Sequence, residues 1–468
     1  MKTWMRKKAI GLDTIADHHR LKPTLSWWHL VALGVGAIVG TGIYTLVGVG
    51  ANMAGPAVIV SFLIAGAICA CAALAYAEVA TMIPASGSAY TYSYVVLGEL
   101  IAWVVGWCLI LEYSLVVSAV AVGWSGYAVG FLQSVGVDLP IAITAGPHAG
   151  GLVNLPAVAI VGVVAGLLAL GSKESATVNA VLVVIKIAAL VVFVAVALPH
   201  FDAANFKPFM PNGFAAHAVN GVQIGVMAAA AIIFFAFYGF DAVSTAAEET
   251  KNPGRDMPIG IVGSMIVCTL IYVLVAAVAV GAMPVAEFAK SPEPLALILR
   301  QLSSNTAAAV VGAAAVIALP TVILAFLFGQ SRIFFVMARD GLFPAALAKV
   351  SPRTGTPVRI TVLTAVVVAI LAGLVPLDEI AALANAGTLV AFVAVGACML
   401  VLRKQNPDAK RVFRTPAAWV VGPLGILGCL YLFFSLPTVT HVFFVIWTVL
   451  GLALYFLWGA RRLDREAA

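Results

Sequence analysis

Apolar runs long enough to cross a bilayer recur twelve times along the chain, separated by short polar stretches. They lie near residues 29–50, 56–82, 95–129, 155–172, 177–198, 222–247, 258–282, 305–338, 358–375, 385–403, 417–437 and 441–460. About 20 apolar residues suffice for a helical crossing, and several runs exceed that, which leaves room to tilt or bend. Pro56, Pro156, Pro258 and Pro357 stand at span starts, where a missing N–H costs little. The pattern predicts an all-α integral membrane protein with twelve transmembrane helices.

Two of the runs are interrupted at mid-depth. Span 1 contains Gly34-Val-Gly-Ala-Ile-Val-Gly-Thr-Gly42, and span 6 contains Phe234-Phe-Ala-Phe-Tyr-Gly-Phe-Asp241. Glycine inside a helix costs roughly 1 kcal/mol relative to alanine, and non-helical backbone at this depth survives only where protein or a wet cavity surrounds it. The interruptions also occupy matching places. Spans 1–5 cover residues 29–198 and spans 6–10 cover 222–403, blocks of similar length that each open with a broken helix. Because five is odd, the second block enters the membrane from the opposite face, and a 5+5 inverted repeat follows. Paired breaks in such halves point to a solute site between them, so the expectation is a transporter for a small polar solute. Spans 11 and 12, within 417–460, carry no charge in the bilayer and read as packing or dimer elements.

Composition agrees. The 468 residues are 63% hydrophobic and 10% charged, with mean hydropathy +1.08, against about 25% charged in a soluble domain. The tail 1–28, the loops after even-numbered spans and the tail 461–468 hold twenty-two basic residues; the other face holds Lys207, Lys290 and Arg300. The positive-inside rule then puts both termini in the cytoplasm, and the net charge of +6 reflects topology, not nucleic-acid binding. No cleavable leader pattern opens the chain. The six cysteines fall inside apolar runs with no histidine at metal-ligand spacing, so neither metal, cofactor nor disulfide is expected.

Several further segments occur in order: Ala75-Tyr-Ala-Glu-Val79 with Pro84-Ala-Ser-Gly-Ser-Ala-Tyr90, Gly239-Phe-Asp-Ala-Val-Ser-Thr-Ala-Ala-Glu-Glu249, Lys251-Asn-Pro-Gly-Arg-Asp-Met-Pro258, Gly329-Gln-Ser-Arg332 and Ala338-Arg-Asp-Gly-Leu342. Together with the span 1 glycines, they resemble the amino acid–polyamine–organocation (APC) superfamily of permeases, in its bacterial cationic amino acid transporter branch. The resemblance covers roughly 25–415. It implies a LeuT-type fold and secondary transport of amino acids, coupled to protons or to exchange. Members of the branch also carry small neutral amino acids, so the branch label does not fix the substrate.

A zwitterion needs donors for its carboxylate and acceptors for its ammonium, and a broken helix offers both. The candidate substrate residues are Ile38, Gly40, Thr41 and Gly42 in span 1, Glu112 in span 3, and Phe234, Phe235, Ala236 and Tyr238 in span 6. The small residues of Gly40-Thr41-Gly42 let a carboxylate approach free N–H groups, although small residues also serve close helix packing. The resemblance aligns Phe235 with an aromatic gate; Phe234, Phe237 and Phe240 read equally as packing.

Four ionisable residues lie within spans: Glu78, Glu112, Lys186 and Asp241. Such groups are functional candidates by default. Lys186, alone in the core of span 5, is the candidate proton-coupling group, because burial penalises its charged form. The resemblance places its ammonium where relatives hold a sodium ion beside broken helix 1; snorkelling or a permanent acid partner are the other readings. Glu112 could line the pocket, pair with Lys186, or stay protonated on a neighbouring backbone group. Glu78 reads as structural, Asp241 as support for the span 6 break, and Glu248 and Glu249 as a solvated charge network.

The functional expectation is proton-coupled amino acid import into the cell across the cytoplasmic membrane. The partners are then the amino acid, the proton and membrane lipid. Leu324-Ala-Phe-Leu-Phe328 in span 8 and the span 6 phenylalanines form a bulky apolar wall, which favours small neutral substrates such as alanine, serine or glycine over cationic ones. An exchanger, a cationic amino acid transporter and a membrane-embedded amino acid sensor are the alternatives. No catalytic constellation argues for an enzyme.

Overall fold

The computed structural model describes residues 6–7, 25–83, 87–169, 176–219, 221–245, 250–344 and 358–459. Most of the N-terminal tail, the C-terminal tail, Lys173, Glu248, Glu249, Lys349 and Arg353 lie outside the described residues.

The first predicted break is a change of backbone, not a bend. Helix α1 spans Trp27–Ile38, Val39 and Gly40 turn extended, and the chain resumes as a single turn α2, Thr41–Tyr44, then α3, Leu46–Ala54. A 3-10 turn carrying Pro56 at its start leads into α4, Val58–Met82. Span 3 begins differently from its hydropathy. Residues Ser88–Val96 form a separate helix α5, Gly98 reverses the chain at φ +107°, and α6 runs Glu99–Ser134. The short α7, Ile141–Thr144, precedes α8, Leu155–Ala169, and α9, Ala176–Ala197.

The predicted start of span 6 is corrected. Residues 222–224 belong to an antiparallel hairpin, β1 His217–Val219 with β2 Val222–Ile224, in which His217 faces Ile224. This hairpin and an isolated parallel bridge between Leu25 and Thr250 are the departures from an all-α chain among the described residues. Helix α10, Val226–Ile233, tightens into a 3-10 turn at Phe234–Phe237, then breaks at Tyr238 and Gly239 before α11, Phe240–Thr245. Helix α12 spans Pro253–Ala282, so Pro253 takes the N-terminal place expected of Pro258, which falls inside the helix and leaves the carbonyl four residues before it without its helical donor.

Beyond it, α13, Val285–Phe288, and α14, Pro294–Gln301, precede a span that divides at Leu319 into α15, Asn305–Ala318, and α16, Pro320–Arg339. Helix α17, Val358–Leu374, is followed by α18, Leu377–Gln405, which starts eight residues before the predicted span. Its extra turns carry Asp378 and Glu379, acids that suit a helix N-terminus. Helices α19, Ala418–Phe434, and α20, Thr438–Leu454, follow, and a π-helical turn, Tyr455–Gly459, ends the described residues.

Among the described residues, seven helical stretches of 18 residues or more are apolar enough to cross a membrane, and five further apolar helices have 10–17 residues. The protein is a multi-pass membrane protein. Helix α12 packs along α1 and α4, and α18 runs against α6, α4 and α19. The middle of the bundle is therefore made by α1, α6, α10, α12 and α18, while α19 turns Val420, Leu424 and Leu427 outward.

Candidate functional site

The two breaks touch. Gly42 sits so close to Ala236 that a Cβ there would overlap its backbone, and Gly239 is pressed in the same way onto Ala37 and the N–H of Ile38. Gly239 also has φ +111°, a left-handed conformation that side chains other than glycine resist. Beside this double contact lies a small cavity. Its walls are Ala37, Ile38, Gly40, Thr41 and Gly42 from the first break and Phe235 and Tyr238 from the second, with Val116 and Val120 of α6 and Val322 and Phe326 of α16.

The cavity supplies main-chain donors. The N–H groups of Gly40, Thr41 and Gly42 have no hydrogen bond to described residues. Thr41 Oγ1 is buried without a partner among those residues, and its side chain rests in a notch left by Gly123 of α6. Among the described residues no carboxylate or basic side chain lines the space, and five of the eleven lining residues are aliphatic.

Freed carbonyls at the breaks are satisfied by side chains from other helices, as low-dielectric burial requires. At the first break Lys186 Nζ donates to Gly36 O at 2.9 Å and to Thr321 Oγ1 at 3.0 Å, and Tyr272 Oη donates to Ile38 O at 2.7 Å. Tyr127 Oη closes the far side by donating to Tyr44 O at 2.6 Å. At the second, Asn385 Nδ2 donates to Ala231 O at 2.5 Å and to Ile232 O at 3.0 Å, and Tyr238 Oη donates to Asn385 Oδ1. Asp241 Oδ1 accepts from the N–H of Gly239 at 3.2 Å and its Oδ2 accepts from Tyr113 Oη at 3.2 Å.

Of the candidate residues, Ile38, Gly40, Thr41, Gly42, Phe235 and Tyr238 come together around the cavity. Three do not line it. Phe234 packs on Phe392 and Tyr238 at 5.7 Å between ring centroids, and Ala236 backs onto Gly42. Glu112 is fully buried beside Asp241 and Thr388, with neither carboxyl oxygen hydrogen-bonded to a described residue. Among the described residues no ion pair joins Glu112 to Lys186, which corrects that reading. Snorkelling is corrected too: Lys186 is 1% exposed, with its ammonium turned into the bundle.

Glu78 has a structural setting. It receives Arg403 Nε at 2.8 Å and Nη2 at 2.5 Å, and the N–H of Thr415 at 2.8 Å, while Arg411 Nε lies 3.2 Å away. The cluster ties α4 to the end of α18 and the segment after it. Sequence reasoning missed Val116, Val120, Val322, Tyr272 and Asn385. Only Asn385 had a signal, as an amide inside an apolar run, where polar side chains commonly bond between helices.

Comparison with known proteins matches residues 25–460 to the family model described as amino acid permease. The branched-chain amino acid permease BcaP of Bacillus subtilis is 48% identical over 97% of this chain and 97% of its own. The methylthioribose transporter of the same organism is 42% identical over 98% of this chain and 99% of its own. The vacuolar cationic amino acid transporter 4 of Arabidopsis thaliana is 39% identical over 83% of this chain and 65% of its own. These relatives are permeases and transporters, not enzymes. With the span 1 glycines and the breaks after α1 and α10, they show that the chain belongs to the amino acid permease family of the APC superfamily.

Proposed function

We propose that the protein is a secondary transporter that imports neutral amino acids with aliphatic side chains, in symport with protons. The observation that carries this reading is a cavity with a main-chain head and apolar walls. The free N–H groups of Gly40-Thr41-Gly42 suit the substrate carboxylate, and the second break would supply main-chain carbonyls to its ammonium. Val116, Val120, Val322 and Phe326 then face the side chain. An arginine or lysine head would be buried there without a counter-charge, at a cost of several kcal/mol. This extends the expected small neutral substrates toward valine, leucine and isoleucine. The name of the BcaP relative, a branched-chain permease, favours the same direction.

Lys186 serves as the proton carrier in this reading: its ammonium bridges α1 and α16 at the first break, where a change of charge would alter the grip on Gly36. The fold we assign is twelve transmembrane helices in a LeuT-type 5+5 inverted repeat, 29–198 and 222–403, with 417–460 appended and both termini cytoplasmic. The matching breaks after α1 and α10 support that assignment. Uptake of labelled leucine by proteoliposomes, with and without an inward proton gradient, tests the function. Competition by alanine, serine, arginine and methylthioribose ranks the cargo. Arginine displacing leucine at lower concentration than alanine does would overturn the neutral assignment, and gradient-independent counterflow alone would identify an exchanger.

A further inference from the structure

We infer that Asn385 is a positioning residue for the substrate cavity, setting the placement of Tyr238 and Phe235 from the far side of the second break. The inference rests on the cavity being the substrate site. Asn385 lies on α18, is fully buried, and does not line the cavity itself. Its amide orientation follows from chemistry. Ala231 O and Ile232 O accept only, so the group at 2.5 Å and 3.0 Å from them is the NH2, and the remaining oxygen must take the Tyr238 hydroxyl proton.

One amide thus holds both sides of the break. Upstream are two carbonyls in the last turn of α10, just before the 3-10 turn at Phe234–Phe237. Downstream is Tyr238, whose backbone is extended and whose ring stacks obliquely on Phe235 at 5.2 Å. Tyr238 and Phe235 are the two cavity residues contributed by this break. The Asp241–Gly239 bond shapes the break locally, and the three hydrogen bonds to Asn385 tie both of its sides to α18. Helix α18 also reaches the break through Phe392, which packs on Phe234 at 5.7 Å and on Phe240 at 5.1 Å between centroids. Small shifts of α18 therefore reach the cavity wall through Asn385.

The test is a double-mutant cycle with Asn385→Ala and Tyr238→Phe in the full-length protein, read as leucine Kd by thermal shift and as KM and kcat of uptake. A net hydrogen bond is worth about a 5-fold change in an equilibrium. Each single variant is expected to weaken leucine binding by roughly 5-fold or more, with KM rising more than kcat falls. The double variant should be no weaker than Asn385→Ala alone, because both remove one link. Tyr238→Phe keeps the ring and its packing, so it remains informative if Asn385→Ala folds poorly. Additive losses, or a lowered melting temperature with unchanged Kd and KM, would overturn the positioning role. Val322→Phe, which crowds the cavity directly, separates this from the underlying reading. If it leaves leucine binding intact, the cavity is not the substrate site; if it blocks binding while the cycle is additive, only the role of Asn385 fails.

Discussion

Replacing Gly42 by alanine probes the contact between the two breaks. A Cβ at Gly42 would fall on the Cα and Cβ of Ala236, nearer than Cβ atoms approach one another in folded proteins. The obstacle is backbone, and the carbonyls at Ala231 and Ile232 hold that segment to Asn385, so no rotamer change relieves it. Gly42 is helical, so the cost is steric and adds no left-handed strain. Overpacking by a methyl costs about 1–3 kcal/mol, which lowers the population of the touching arrangement by roughly 5- to 150-fold. If leucine binds that arrangement, its apparent Kd rises by the same factor. The assay is a thermal-shift titration with leucine, read beside the melting temperature of the ligand-free variant. Gly40→Ala is the comparison, because the nearest atom to its Cβ would be Val322 Cγ2, at an ordinary contact distance of 3.4 Å. That variant should fold normally, and its narrower cavity should weaken leucine more than alanine. A folded Gly42→Ala protein with the parent's leucine affinity would refute the reasoning, since the breaks would then not need to touch for binding.

Lys186→Ala should keep leucine binding but lose the stimulation of uptake by an acidic exterior; acid-stimulated uptake equal to the parent's would remove Lys186 from proton coupling. Glu78→Gln breaks a buried, bidentate pair with Arg403 and should lower stability by about 3 kcal/mol, seen as a lower melting temperature in detergent. Glu293, in the loop before α14, is held above the usual carboxylate range by burial, against the opposing pull of Arg300. The folded protein therefore keeps this proton longer than the unfolded chain does. Stability contributed here is fullest below the usual carboxylate range and falls as pH rises through the raised value. Glu293→Gln should flatten that part of the melting-temperature profile, and an unchanged slope would assign it to other groups.

The breaks were legible because their causes are local: glycine at Gly40 and Gly42, and an aromatic, glycine-containing run that cannot stay regular at Gly239. Boundaries were misread where hydropathy and backbone part company. Val222 and Ile224 are apolar and run on into α10, yet pair across a hairpin, while Asp378 and Glu379 are charged and yet helical. The cavity walls were half legible. A valine such as Val116 or Val322 looks like any other in an apolar span, and only the packing of α6 and α16 on the breaks selects it. Glu112 shows the opposite error, because a charge at mid-depth draws notice whichever way its helix turns. Asn385 carries no charge to mark it in the sequence, yet an amide satisfies a broken backbone without the cost of a buried charge.

Helix α19 has 17 residues, bounded by a left-handed Ala417 and by Ser435. At 1.5 Å per residue it is about 25 Å long, short of the roughly 30 Å hydrocarbon layer. Its outward face carries Trp419 near one end and Tyr431 near the other, residues that anchor at the headgroup level. On the twelve-helix fold proposed above, thinning of the lipid beside α19 is one way to meet this mismatch, at a cost that grows with acyl chain length. Reconstitution in short-chain and long-chain phosphatidylcholines should then give different stabilities for the same protein, with the shorter chains favoured.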